Sequence, residues 1–213
     1  MLLADLDANL LMYALDSGMG KEHVLLVDAN RSVLLFIDVQ TKLLPAVDRA
    51  DDCLACCRML LAAARRLDIP VLATEHCSSR VGPTVAALRQ HLAPSEVVEK
   101  RHFNGAAEEI FDQALGVLGR KTVIVAGMEA HVCVLQTVLG LKSQGHEPVI
   151  VADAIASRHA ASHDLAIARM RHHGIDIVNT EMVLFEWLKV GDTTVFKDLL
   201  PMIKSGSADK QQL

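Results

Sequence analysis

Short runs rich in Val, Ile and Leu alternate along this chain with longer stretches whose apolar residues recur at helical spacing, a pattern that predicts strands and helices in turn. The first strand runs from Ser32 to Asp38, followed by a helix from Ala50 to Leu67. Ile69 to Thr74 is the second strand, after which Pro83 suits the first turn of a helix reaching about His91. Glu96 to Lys100 reads as a short third strand and Ala106 to Leu115 as a helix. The fourth strand is Lys121 to Ala126, and its helix runs from about His131 to Ser143, stopping before Gly145. Pro148 to Ala152 is the fifth strand, with a helix over Ala160 to His173 that stops at Gly174. Ile175 to Asn179 is the sixth, followed by one or two closing helices. No repeat, low-complexity tract or linker splits the pattern. Residues 25–204 therefore read as one domain, residues 1–24 as an extension with no assigned role, and residues 205–213 as a polar tail expected to fray.

Strands alternating with helices imply an α/β fold: three α/β/α layers around a six-stranded parallel sheet with right-handed crossovers. Two three-stranded halves give the order 3-2-1-4-5-6, and in such a sheet ligands bind beyond the carboxyl ends of the strands where the order reverses. The residues just after strands one, three and four are therefore the ones to inspect for chemistry.

Composition agrees with this architecture. A chain of 213 residues suits one domain and buries about 70% of the surface that its unfolded form exposes. Hydrophobic residues make up 51% and aromatic residues only 3%, so the core is built from Leu, Val, Ile and Ala. The net charge of -5 provides no basic footprint, which argues against nucleic acid or an anionic membrane surface as partner. No apolar run approaches the ~18 residues of a membrane span. The amino-terminal stretch lacks the basic character of a targeting signal. Five cysteines, with Cys53, Cys56 and Cys57 in one helical stretch, do not form a disulfide framework. Reduced thiols and a cytoplasmic location are expected.

The predicted crevice holds reactive side chains. Asp38 closes the first strand, with Gln40 two residues on. Lys100 closes the third, ahead of Arg101, His102, Phe103 and Asn104. After the fourth comes Gly127-Met-Glu-Ala-His-Val-Cys133, which puts Cys133 in the first turn of a helix. A helix amino terminus favours a thiolate, and a neighbouring ammonium such as that of Lys100 lowers the thiol pKa further. The Asp38 carboxylate can accept the thiol proton and return it to a leaving group, so three groups from three strand ends make a unit for covalent catalysis. Backbone N–H groups of Glu129 and Cys133 are the candidate oxyanion donors. Gln40, Phe103, Asn104 and His131 are the candidate substrate contacts.

On these residues the chain resembles a known family. Leu35-Phe-Ile-Asp38-Val-Gln40, Lys100-Arg-His-Phe103, Gly127-Met-Glu-Ala-His-Val-Cys133-Val-Leu-Gln-Thr137 and Val151-Ala-Asp153-Ala-Ile-Ala-Ser157-Arg158 are similar, in order, to motifs of the isochorismatase-like cysteine hydrolases. Thr74-Glu75-His76 and Gly82-Pro83-Thr84-Val85 resemble the isochorismatase domain-containing subgroup. The resemblance implies a six-stranded parallel fold, an Asp38–Lys100–Cys133 triad and a dimer or higher homo-oligomer. It also implies a non-proline cis peptide at Met128-Glu129 that aims the Glu129 N–H into the oxyanion hole. Two departures stand out. Nicotinamidases of the family bind a metal through Asp-x-His and a second His after the second strand, a spacing that Thr74-Glu75-His76 lacks, so neither metal nor cofactor is expected. The subgroup commonly has Ser where this chain has Asn104.

The activity implied is hydrolysis of a small-molecule amide, or a related C–N or acyl bond, through a thioester at Cys133. The alternatives are isochorismatase-type cleavage of a vinyl ether by Asp38, and a non-catalytic oligomeric protein. Other polar groupings carry less. His159 and His163 lie four apart on a helix without a third ligand at matching spacing. Cys53, Cys56 and Cys57 sit among Leu54, Met59 and Leu60, as core or interface thiols do, and Glu108-Glu109 reads as exposed charge.

Overall fold

The computed structural model describes residues 26–208, and their side chains as far as residue 204, so the segment 1–24 lies outside the described residues. Six strands, β1 (Ser32–Ile37), β2 (Val71–His76), β3 (Val97–Lys100), β4 (Thr122–Met128), β5 (Glu147–Ala156) and β6 (Asp176–Val178), form one sheet. They pair in parallel throughout, in the order β3-β2-β1-β4-β5-β6. The longer helices are α1 (Ala50–Arg66), α2 (Glu109–Leu118), α3 (Leu135–Ser143), α4 (Ala160–His172), α5 (Thr180–Leu188) and α6 (Thr194–Ala208).

Alternation along the central strand builds two cores. Leu34 and Phe36 of β1 point to one face and pack with Cys57, Leu60 and Ala64 of α1, Trp187 of α5 and Leu199 of α6. Val33, Leu35 and Ile37 point to the other and pack with Phe111 and Leu115 of α2, Val138 of α3 and Met170 of α4. Every residue of β1 is buried, as a strand covered on both faces requires. Each large aliphatic side chain so buried contributes about 1.5–3 kcal/mol. The buried indole of Trp187 donates to Ser32 Oγ at 3.1 Å, and that hydroxyl donates in turn to the Asp28 carbonyl.

Several boundaries differ from the sequence expectation, each for a tertiary reason. β2 extends to His76 because Thr74, Glu75 and His76 pair with Val98, Glu99 and Lys100. The helix expected from Pro83 shrinks to a short turn, Ala86–Arg89. Thr84 is held extended by a bridge to Gln40 and by the Glu75 carboxylate, and Val85 N–H is bonded to the Val39 carbonyl. Ala106 lies in a 3-10 turn, Gly105–Ala107, and α2 begins only at Glu109 because Glu108 is extended. β4 and β5 run further than their apolar cores suggest, with a register shift between Val125 and Gly127. The closing helix α6 continues through Ala208, past the expected start of the tail.

Gly127, next to last in β4, has φ of +121°, and a Cβ there would stand 2.1 Å from the Ile37 carbonyl oxygen. Both facts require glycine, and they seat β4 against the end of β1 where the crevice opens. Gly127→Ala should therefore destabilise by about 4 kcal/mol or more, lowering Tm by about 8–16 °C for a domain of this size. Gly116→Ala, in α2 with nothing within 4 Å of the added carbon, should leave Tm unchanged or slightly raised. Calorimetry of the two variants checks the contrast.

Candidate active site

The crevice at the ends of β1, β3 and β4 brings Asp38, Lys100 and Cys133 together. Asp38 follows β1 in the left-handed region, with φ of +52°, which Asp tolerates better than most residues. Its N–H donates to the Thr74 carbonyl at 3.1 Å. Its Oδ1 accepts the Thr74 hydroxyl at 2.7 Å. Its Oδ2 lies 2.8 Å from Lys100 Nζ, and both side chains are 0% exposed. That oxygen receives no aligned hydrogen bond among the described residues, so the ion pair leaves a lone pair for another proton. Lys100 Nζ also donates to the His102 carbonyl at 3.1 Å.

Cys133 lies in a π-helical turn, Ala130–Val134, that leads into α3. The Glu129 carbonyl accepts from Val132 N–H at 3.0 Å and from Val134 N–H at 3.2 Å. N–H groups at the start of a helical segment lack intrahelical partners, and the peptide between Met128 and Glu129 is cis, as the resemblance implies. The thiol is buried and its pKa is pushed up to about 12. Burial is the largest cause, the Asp38 carboxylate adds to it and the Lys100 ammonium opposes it. This corrects the expectation of a thiol activated in advance by helix terminus and lysine. Loss of solvent outweighs both, because it penalises the charged form directly, and at neutral pH the sulfur carries its proton beside a carboxylate.

The other candidates divide. Gln40 is fully buried and its amide brackets backbone: Nε2 donates to the carbonyls of His76 and Gly82, and Oε1 accepts His76 N–H at 2.8 Å. It braces the ends of β1 and β2. Asn104 caps the 3-10 turn through Ala106 N–H at 3.0 Å and packs against Gly140 of α3. Phe103 is 51% exposed and stacks on His76 with ring centroids 5.1 Å apart. His131 Nδ1 pairs with Ser157 Oγ at 3.0 Å, and Glu129, the donor candidate beside it, holds Arg158 Nε at 2.8 Å.

Those last contacts account for the motif from Val151 to Arg158. Asp153 accepts both the N–H and the hydroxyl of Thr180 at the start of α5. Ser157 and Arg158 hold the turn that carries Cys133 from the end of β5. Glu108, which reads as exposed charge in the sequence, instead takes three donors on one oxygen: the N–H groups of Arg101 and His102 and the His102 ring, at 2.6, 2.8 and 2.9 Å. These bonds, the His102 N–H foremost, lower its pKa to about 2, and they fix the loop whose His102 carbonyl receives Lys100. No sequence spacing signals this, since it depends on how the loop closes. Thr74 has a signal in retrospect: it lies two residues before His76 on the strand face that carries Lys100.

The family's nicotinamidase-type metal set does not fit these residues. Thr74 and His76 point to the face of Asp38 and Lys100, whereas Glu75 points to the opposite face, where its carboxylate accepts the N–H and hydroxyl of Thr84 at 2.8 Å each. Among the described residues no group of three or more His, Cys, Asp or Glu converges as metal ligands do. Among them, too, no helix is long and apolar enough to cross a membrane.

A doubly wound parallel sheet with a buried Asp–Lys ion pair and a thiol at its switch point defines a class of α/β proteins, and comparison gives the family. The Isochorismatase domain model matches residues 32–182, so the chain belongs to the isochorismatase family of hydrolases. It is 31% identical over 185 residues to the secreted isochorismatase effector Isc1 of Phytophthora sojae, covering 82% of this chain and 85% of that one. Isochorismatase domain-containing protein 2 of Danio rerio is 31% identical over 179 residues, covering 84% and 89%. Among solved structures, one described as MAR1 ribonuclease from Caenorhabditis elegans superposes with a TM-score of 0.78 at 28% identity, covering 84% and 92%. YcaC from Pseudomonas aeruginosa shares the fold, with a TM-score of 0.81 at 24% identity over 91% and 98% of the chains.

If Asp38 and Lys100 act on the thiol with opposite sign, their removal should move its titration in opposite directions: Lys100→Met should raise the Cys133 thiol pKa and Asp38→Asn should lower it. The ultraviolet thiolate absorbance of each variant, measured against the same variant carrying Cys133→Ala and followed with pH, checks this, and shifts of the same sign in both variants would break the unit.

Proposed function

We propose that this chain is a cysteine-dependent hydrolase that cleaves a small-molecule amide, or a related C–N or acyl bond, through a thioester at Cys133. The observation that carries this reading is the convergence of the buried Cys133 thiol, the Asp38 carboxylate and the Lys100 ammonium at the ends of β1, β3 and β4. Asp38 takes the thiol proton as sulfur attacks the acyl carbon, so charge moves from carboxylate to the developing oxyanion without a free thiolate. The Glu129 and Cys133 N–H groups receive that oxyanion. Asp38 then gives its proton to the leaving nitrogen, the C–N bond breaks, and the acyl group stays on sulfur. Water attacks the thioester carbon, Asp38 accepts its proton and returns it to the departing sulfur. Lys100 holds the Asp38 carboxyl in place between the steps.

The raised thiol pKa favours one second reading, in which Asp38 alone performs acid–base cleavage of a vinyl ether and Cys133 forms no bond. Either reaction needs no Lewis acid, and we take both to be metal-independent, with a small molecule rather than nucleic acid as substrate. Five free cysteines suit a reducing, cytoplasmic compartment. A homo-oligomer is in keeping with a fold relative from Escherichia coli that is described as an octameric hydrolase.

The two readings part on a covalent adduct. Acid quench during turnover of an amide panel should leave an acyl adduct on Cys133, and not on Cys53, Cys56, Cys57 or Cys77, by intact-mass analysis and peptide mapping. Cys133→Ala should fold and lose turnover, and Asp38→Asn should lose about 10²–10⁴-fold. Turnover without an adduct, retained in Cys133→Ala, would replace the amidase reading by the vinyl ether one.

A further inference from the structure

His76 stands next outward from the acid–base pair. In the pairing of β2 with β3 it lies opposite Lys100, and register partners in neighbouring strands project to the same face of a sheet. Leu72, Thr74 and His76 alternate onto that face; Leu72 packs in its core and Thr74 binds Asp38. The backbone of His76 is clamped on both sides by the Gln40 amide, and its ring is stacked at 29° on the half-exposed Phe103. With the ring so fixed, its Nδ1 is buried and has no hydrogen-bond partner among the described residues. Burial first, then the Lys100 ammonium, push the imidazole below its usual pKa, against weaker opposing pulls from Asp38 and Glu108. The ring is therefore neutral near pH 7, with one nitrogen a donor and the other an acceptor.

Resting on the amidase reading above, we infer that His76 is a specificity-determining residue whose Nδ1 accepts an N–H of the substrate's amide nitrogen, so that the site takes N–H-bearing amides over esters and carboxylates. The proton then sits on Nε2. An ester of the same shape has no N–H and leaves Nδ1 unpartnered. A carboxylate offers only acceptors, and it would stand close to Asp38 with the Lys100 charge already engaged. The stacked Phe103 ring adds a flat apolar wall, which suits the planar amide group.

The test uses the full-length protein and three alkylating probes that differ only at this group: iodoacetamide, methyl iodoacetate and iodoacetate. Rates of Cys133 labelling are read by peptide mapping and divided by those of N-acetylcysteine at the same pH. Wild type should favour the amide over the ester by about tenfold, the size of one hydrogen bond. His76→Phe keeps a ring against Phe103 but removes the acceptor, and should bring the ratio near unity. His76→Asn restores an acceptor oxygen close to the Nδ1 position and should recover part of the preference. A wild-type ratio near unity, or an equal preference in wild type and a folded His76→Phe, would overturn the assignment. Labelling needs only the thiol and no thioester, so the absence of an acyl adduct alongside a retained amide preference would sink the amidase mechanism alone.

Discussion

The ion pair between Asp38 and Lys100 is the constraint around which the rest of the site is arranged. Both side chains are fully removed from solvent and their charges stand 2.8 Å apart. Withdrawing two ions from water costs several kcal/mol each, and attraction offsets this only where geometry is good and the remaining polar valences are met. The surrounding residues meet part of them, the Thr74 hydroxyl on Asp38 Oδ1 and the His102 carbonyl on Lys100, while Asp38 Oδ2 keeps a lone pair without an aligned donor among the described residues. Glu108 then holds the loop that presents that carbonyl, and Gln40 ties together the strand ends that carry Asp38 and His76. The burial of two charges thus sets requirements on residues around the pair as well as on the pair itself.

The same burial sets the state of the Cys133 thiol. An exposed thiol beside an ammonium would ionise readily, but here solvent loss dominates and Cys133 rests protonated. In the proposed reaction that state gives Asp38 the part of the base. It also suits an enclosed site, where a proton passed between neighbouring groups avoids separating charge in a low-dielectric interior. The turn that carries Cys133 is steadied from β5 by Ser157 and Arg158, and from below by the close contact of Gly127 with Ile37.

The strand order and the three principal side chains were legible in the sequence because they follow from periodicity and topology. β-branched runs mark buried strands, alternation with helices makes them parallel, and parallel order fixes which strand ends meet. The extents of β2, β4 and β5 were not legible, since pairing with neighbours and not local composition prolongs them. The thiol pKa was misjudged for a related reason: helix terminus and lysine are visible in sequence, whereas depth of burial emerges only when α3 packs against the sheet. Glu108 reads as exposed charge because a side chain's partner across a closed loop leaves no periodic trace, and the brace that Gln40 forms is hidden for the same reason. His76 enters the sequence reading through the Thr74-Glu75-His76 motif and its lack of metal spacing, while its register opposite Lys100 places it on the face of the site.

The protonation state of Cys133 at neutral pH tests this account most directly. An infrared difference spectrum of wild type minus Cys133→Ala cancels the buried thiols Cys53, Cys56 and Cys57 and isolates one S–H stretch. The account predicts that the band is present at pH 7, displaced by its carboxylate neighbour, and that it shifts in Asp38→Asn. A difference spectrum without an S–H band, accompanied by thiolate absorbance in the ultraviolet at the same pH, would contradict it.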